Sequence, residues 1–67
     1  MQPDGVEVSW DATKKEWLVR IQAGEEVIRR HFKAPEGSDE QALRTAAQRT
    51  ARDEGYEPDL AAITVGR

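Results

Sequence analysis

The stretch from residue 38 to residue 54 constrains the fold most strongly, because it predicts one long amphipathic helix. Ser38 and Gln41 have the spacing of a capping box, in which the serine hydroxyl accepts from the backbone N–H three residues later. Gly55 follows where a left-handed residue commonly ends a helix. The side chains that recur at i, i+3, i+4, i+7 and i+8, and so share one helical face, are Leu43, Ala46, Ala47, Thr50 and Ala51. We therefore predict a helix over about residues 39–54, with Ser38 as its N-cap.

Three segments before this helix have the features of strands. The first two alternate apolar and polar side chains with the period of two that is typical of half-buried strands, and the third is rich in β-branched and aromatic residues. They cover about residues 6–10, 16–22 and 25–33 of the 67-residue chain. We predict one small α+β domain, a three-stranded antiparallel β-meander packed on one C-terminal α-helix (βββα). The C-terminal segment, residues 56–67, ends in an apolar run. This run predicts either a short fourth strand at the sheet edge or a loosely docked tail.

The register of the third strand has two alternatives. A two-residue loop at Ala23 and Gly24 pairs Val19 with Ile28, and the residues that then face the core are Ile28, Arg30 and Phe32. A bulge at Gly24 would instead turn inward Val27, Arg29 and His31. We favour the first alternative, because burying Phe32 stabilises the fold by about 1.5–3 kcal/mol.

Composition argues against several classes of function. The chain has no cysteine, so disulfides and thiolate catalysis are excluded. His31 is the only histidine and lies among cations, which disfavours metal binding. No serine has a base near it in the sequence, and no glycine-rich phosphate loop is present. We expect a non-enzymatic cytoplasmic protein without a metal, a small-molecule cofactor or a membrane partner.

The cations of the predicted sheet suggest a binding surface. The net charge is −3, but the acids are concentrated in the helical half, and residues 1–33 hold six Lys/Arg against six Asp/Glu. The uncovered sheet face and the first hairpin tip would display Arg20, Arg29, His31, Lys33, Lys14 and Lys15. Such a face is either solvated charge or a nucleic-acid-binding surface that contacts duplex DNA through its phosphates. The alternative is a protein-interaction module or small adaptor, self-associating or binding another protein, because Leu18, Val27 and the C-terminal run are apolar.

The order of these parts resembles a known family. Four segments carry the likeness. They are Gly5-Val6, the strand Lys-Lys-Glu-Trp-Leu-Val-Arg-Ile with Trp17, a third strand that ends in His31-Phe32, and the alanine-rich helix that begins Asp-Glu-Gln-Ala-Leu. They resemble the three-strand-plus-helix DNA-binding domain of plant ethylene-response factors, a fold shared by amino-terminal domains of tyrosine integrases. The resemblance covers roughly residues 5–52 and implies that the exposed sheet face enters the major groove, through the positions of Arg20, Arg29, His31 and Lys33. Glu7 and Ser9 stand where the family's first strand carries arginines. The order of strands, helix and final strand is also similar to a HicB-type antitoxin domain, without its glycine-rich third strand.

Overall fold

A computed structural model of the chain describes residues 2–66. Within that range the strands are β1 (Gly5–Asp11), β2 (Glu16–Ala23), β3 (Glu26–Phe32) and β4 (Ile63–Gly66), and the long helix is α1 (Glu40–Asp53). The strands form one sheet in the order β3-β2-β1-β4. The first three are an antiparallel meander, and β4 lies parallel to β1. The predicted α+β class and βββα arrangement are confirmed, and the C-terminal segment contributes a fourth strand.

The core lies between the sheet and α1. The helix buries Leu43, Ala47 and Ala51, three of the five residues predicted to share its inward face. Small side chains let the helix approach the sheet closely, and the larger sheet residues fill the layer between them. The buried sheet residues are Val6, Val8, Trp17, Val19, Ile21 and Ile63. The two layers therefore leave the opposite face of the sheet without a helix.

The start of α1 differs from the prediction. The N-cap residue is Asp39, and it makes no side-chain capping hydrogen bond. The predicted Ser38 N-cap is wrong because Ser38 belongs to a turn with Pro35: its Oγ donates to the Pro35 carbonyl oxygen at 2.6 Å, and its backbone N–H donates to the same oxygen at 3.0 Å. Trp17 Nε1 donates to this carbonyl as well, at 3.1 Å. The linker is thereby fixed against the buried tryptophan of β2.

The end of α1 agrees with the prediction. Gly55 has φ +93°, and its N–H donates to the carbonyl of Arg52 at 3.0 Å. The N–H of Tyr56 donates to the carbonyl of Ala51 at 2.9 Å. This pair of hydrogen bonds is a Schellman motif. It turns the chain so that Tyr56 is buried against the last helical turn.

The register of β3 corrects the predicted pairing. Val19 pairs with Arg30, and Ile28 pairs with Ile21, so the predicted pairing of Val19 with Ile28 is wrong by two residues. The turn is formed by Gly24 and Glu25, and Gly24 has φ +62°, as the first central residue of a type II′ turn requires. A shift of two residues keeps every side chain on its face. Ile28 and the other residues assigned to the helix side therefore lie there, and the bulge alternative is wrong.

Candidate nucleic-acid interface

The sheet face that points away from α1 is called the open face here. None of its described strand residues is buried. Its apolar members are few, and its charged members come from all three strands of the meander. The side chains that the meander places on this face are those of Glu7, Ser9, Asp11, Glu16, Leu18, Arg20, Gln22, Val27, Arg29 and His31.

One charged row crosses the centre of the open face. Glu7 lies opposite Arg20 on β2, and Arg20 lies opposite Arg29 on β3. Arg20 Nη1 donates to Glu7 Oε1 at 3.0 Å, and the two side chains are 38% and 64% exposed. An exposed pair of this kind contributes only about 0.2–1 kcal/mol to stability. Arg29, at the β3 end of the row, makes no ion pair with any residue in 2–66.

A second interaction lies at the end of the face nearest the first hairpin loop. His31 Nε2 is 3.1 Å from Asp11 Oδ2. Asp11 Oδ1 also accepts from the backbone N–H groups of Thr13 at 3.0 Å and Lys14 at 3.2 Å. The hydrogen bond from the Lys14 N–H, followed by the one from His31, lowers the pKa of Asp11 below its ordinary value. The ionised carboxylate thus organises the loop that carries the two lysines of the hairpin tip.

The six predicted site residues fall into two groups. Arg20 and His31 are paired with acids on the same face. The other four make no ion pair within residues 2–66, and they are Lys14, Lys15, Arg29 and Lys33. Because Trp17 pairs with Phe32, Lys33 follows at the end of the sheet where the hairpin loop also lies. The unpaired cations therefore occupy the β3 margin and one end of the open face.

Sequence reasoning noted Glu7 in the first strand but missed its ion pair with Arg20, and it missed the contact of Asp11 with His31. A signal for Glu7 was present, since pairing the two tryptophans across the first hairpin places Glu7 opposite Arg20. The contact of Asp11 with His31 depends on the loop conformation, including φ 55° at Lys15, which the sequence pattern does not reveal.

The described residues, 2–66, contain no group of three His, Cys, Asp or Glu side chains that could hold a metal ion. No described helix is long and apolar enough to cross a membrane. A wide-open depression of about 570 Å³ beside the start of α1 has two acids, Asp39 and Glu40, in its lining. Acids beside the helix N-terminus make this depression unsuitable for an anion.

No family model matches the chain, and no curated protein or solved structure matches it either. The likeness to the ethylene-response-factor domain therefore stays a prediction from the residues that carry it. The parallel strand β4 is an addition to the three-strand-plus-helix arrangement of that family.

Proposed function

We propose that the protein is a small non-enzymatic binding module that contacts duplex DNA with its open face. The observation that carries the proposal is a group of four cations that make no ion pair within residues 2–66, at the margin and end of a bare sheet face. A two-stranded or three-stranded ribbon of this kind can enter the major groove, where cations at its margin reach the phosphates.

The pairing pattern limits how strong this binding can be. Lys14, Lys15, Arg29 and Lys33 are available for phosphate contacts, whereas Arg20 has a carboxylate beside it. Each neutralised phosphate changes the slope of log affinity against log salt by about −0.9, so four contacts predict a slope of about −3.6. Contacts from all six predicted residues would give about −5.4. We therefore expect weak binding that is lost at moderate salt.

The two partly exposed apolar residues of the face suit the same role. Val27 is 37% exposed and Leu18 is half-buried. They lie next to Arg29 and His31 on the same face, close enough to meet thymine methyl groups while the cations hold the backbone. This arrangement favours binding governed by phosphate contacts, with little discrimination among sequences.

The experiment is a titration of labelled duplex DNA at several low to moderate salt concentrations. Arg29→Ala is compared with Arg49→Ala, because Arg49 is exposed on α1, away from the open face, and the two variants change the net charge equally. We expect Arg29→Ala to make the salt slope shallower by about 0.9, whereas Arg49→Ala should leave it unchanged.

Two results would contradict the proposal. One is the absence of binding at the lowest salt concentration. The other is an equal loss of affinity in both variants, which would mean that any cation of the molecule serves as well as those of the open face.

A further inference from the structure

The two edges of the sheet differ in length. β4 is only four residues long, whereas β3 is seven residues long and pairs within residues 2–66 only with β2. Short edge strands protect a sheet from pairing with other strands, and long uncovered ones invite it. The β3 edge is therefore the one that can accept another strand.

The hydrogen-bonding groups that face outward from β3 can be identified. The two residues that flank a two-residue hairpin loop form two backbone hydrogen bonds with each other. Along the ladder, such hydrogen-bonded pairs alternate with pairs whose backbone groups point away from each other. Ala23 and Glu26 flank the turn, so Val27, Arg29 and His31 direct their backbone groups away from β2. Two contacts agree with this assignment. The carbonyl of Gln22, opposite Val27, accepts from the Asp4 N–H on the β1 side at 2.7 Å, and the carbonyl of Arg29 accepts from the Arg30 side chain at 3.0 Å.

We propose that β3 pairs antiparallel with β3 of a second copy of the chain, with Ile28 on the two-fold axis. Residues paired directly across an antiparallel ladder lie on the same face of the sheet. The two-fold axis must therefore pass between a residue and its own equivalent in the second copy, and not between two residue positions. An axis at Arg29 or Arg30 would place two arginines directly opposite each other, which is unfavourable. An axis at Val27 would leave most of the overlap in the turn.

The Ile28 register complements itself. Glu26 lies opposite the second copy's Arg30, and Val27 lies opposite the second copy's Arg29, in both directions by symmetry. The second pair uses outward-facing backbone groups and exchanges two hydrogen bonds, so its two symmetric copies form four. The Arg29 carbonyl, which also accepts from the Arg30 side chain, has a second lone pair for this contact. Ile28 meets its own equivalent on the helix side, where it is now only half-buried.

The charge pattern also explains why the second copy fits better than an unrelated strand. Charged edge residues normally discourage strand pairing. Here Glu26 precedes Ile28 by two residues and Arg30 follows it by two. Glu26 of one copy therefore lies directly opposite Arg30 of the other only in the register centred on Ile28. Arg30 also has an intrachain partner, Glu54, at 2.5 Å. Its guanidinium has enough N–H groups to serve both carboxylates.

The first test compares Val27→Pro with Val27→Thr by sedimentation equilibrium, in the absence of nucleic acid. Proline removes only an outward N–H and should be tolerated within the intrachain sheet, whereas threonine keeps both the N–H and the β-branched shape. We expect the unsubstituted protein to be in monomer–dimer equilibrium, with dimerisation weakened about tenfold or more by Val27→Pro and little changed by Val27→Thr. A protein that stays monomeric up to about 1 mM, or a folded Val27→Pro variant that dimerises normally, would overturn the inference.

The second test uses a charge exchange, and it does not depend on how proline affects the fold. Glu26→Arg places arginine opposite arginine in the dimer, and Arg30→Glu places carboxylate opposite carboxylate. Each variant alone should dimerise more weakly than the unsubstituted protein, while an equimolar mixture should form heterodimers, because both inter-chain pairs become complementary. A mixture that associates no better than its components would rule out this register. Neither outcome bears on DNA binding, so failure here leaves that proposal to its own test.

Discussion

If the open face binds duplex DNA as proposed, the substitution Glu7→Gln should increase the affinity, which is an uncommon direction for a change inside a binding face. The side chain of Glu7 holds Arg20 through one hydrogen-bonded ion pair at 3.0 Å. Glutamine is nearly isosteric and uncharged, so the guanidinium of Arg20 becomes available to a phosphate, and one repelling carboxylate is removed.

The size of the effect follows from counterion release. One added phosphate contact steepens the salt slope by about 0.9, from about −3.6 to about −4.5. At 0.1 M salt this corresponds to about eightfold tighter binding. The exposed ion pair that is lost contributes only about 0.2–1 kcal/mol to stability, so the melting temperature should fall by at most about 4–8 °C for a domain of this size.

The assay is fluorescence anisotropy with a labelled duplex at several salt concentrations. Glu40→Gln is the matched control, because it makes the same charge change and breaks a similar ion pair, Arg44 Nη2 to Glu40 Oε1 at 3.1 Å, on α1. Its effect should be smaller than about twofold, since salt screens charges that lie more than about 8–10 Å from the phosphates. If Glu7→Gln leaves the slope and the affinity unchanged, or acts no more strongly than Glu40→Gln, then Arg20 is not part of a phosphate-binding surface.

Three further predictions concern stability. Ala47→Asp should unfold the domain at room temperature, because Ala47 is fully buried and an unpaired buried charge costs as much as the small total stability of such a chain, about 5 kcal/mol; a cooperative thermal transition by circular dichroism would contradict this. Gly55→Ala should cost about 1 kcal/mol in urea unfolding, since a Cβ there meets no atom within 4 Å but φ +93° strains an L-residue; unchanged stability would mean that the helix end relaxes freely. The lowered pKa of Asp11 contributes stability that is present above its unfolded pKa of about 3.9 and is lost as the pH falls through the lower folded value. Asp11→Asn should therefore reduce the acid sensitivity of unfolding below about pH 4, and an identical pH profile would show that this carboxylate contributes nothing.

Side-chain alternation in β1 and β2, together with the burial of Phe32 in β3, was enough to predict which face each strand residue occupies, but not which residues pair. Moving β3 by two positions leaves Ile28 on the helix side in either register, so burial cannot distinguish the two. The choice depends on the turn. Gly24 adopts its positive φ as the first central residue, and its N–H donates to Asp4 Oδ2 at 2.6 Å. That contact joins residues far apart in the sequence and has no local signature.

In the helix and the candidate site as well, features set by local sequence were predictable, whereas features set by contacts between distant residues were not. The inward helix face and the Gly55 terminus follow from local spacing, and both were predicted correctly. The Ser38 cap failed because a tertiary partner, the carbonyl of Pro35, receives the hydroxyl. At the candidate site, the sequence indicates the six cations, which remain a prediction, and their availability depends on Glu7 and Asp11. Glu7 can be placed opposite Arg20 by pairing the two tryptophans, whereas the contact of Asp11 with His31 depends on the folded loop.

The parallel contact between β1 and β4 has a consequence for how the molecule assembles. Val6 has Ile63 as its lateral neighbour, so β1 receives its second partner strand from residues that are synthesised well after it. Until these residues are in place, the meander and helix can form, but the backbone groups of β1 that later bond to β4 can pair with a strand of another molecule. Closing so large a loop is slow relative to forming local hairpins. Aggregation during synthesis should therefore be governed by how quickly the segment after Gly55 docks.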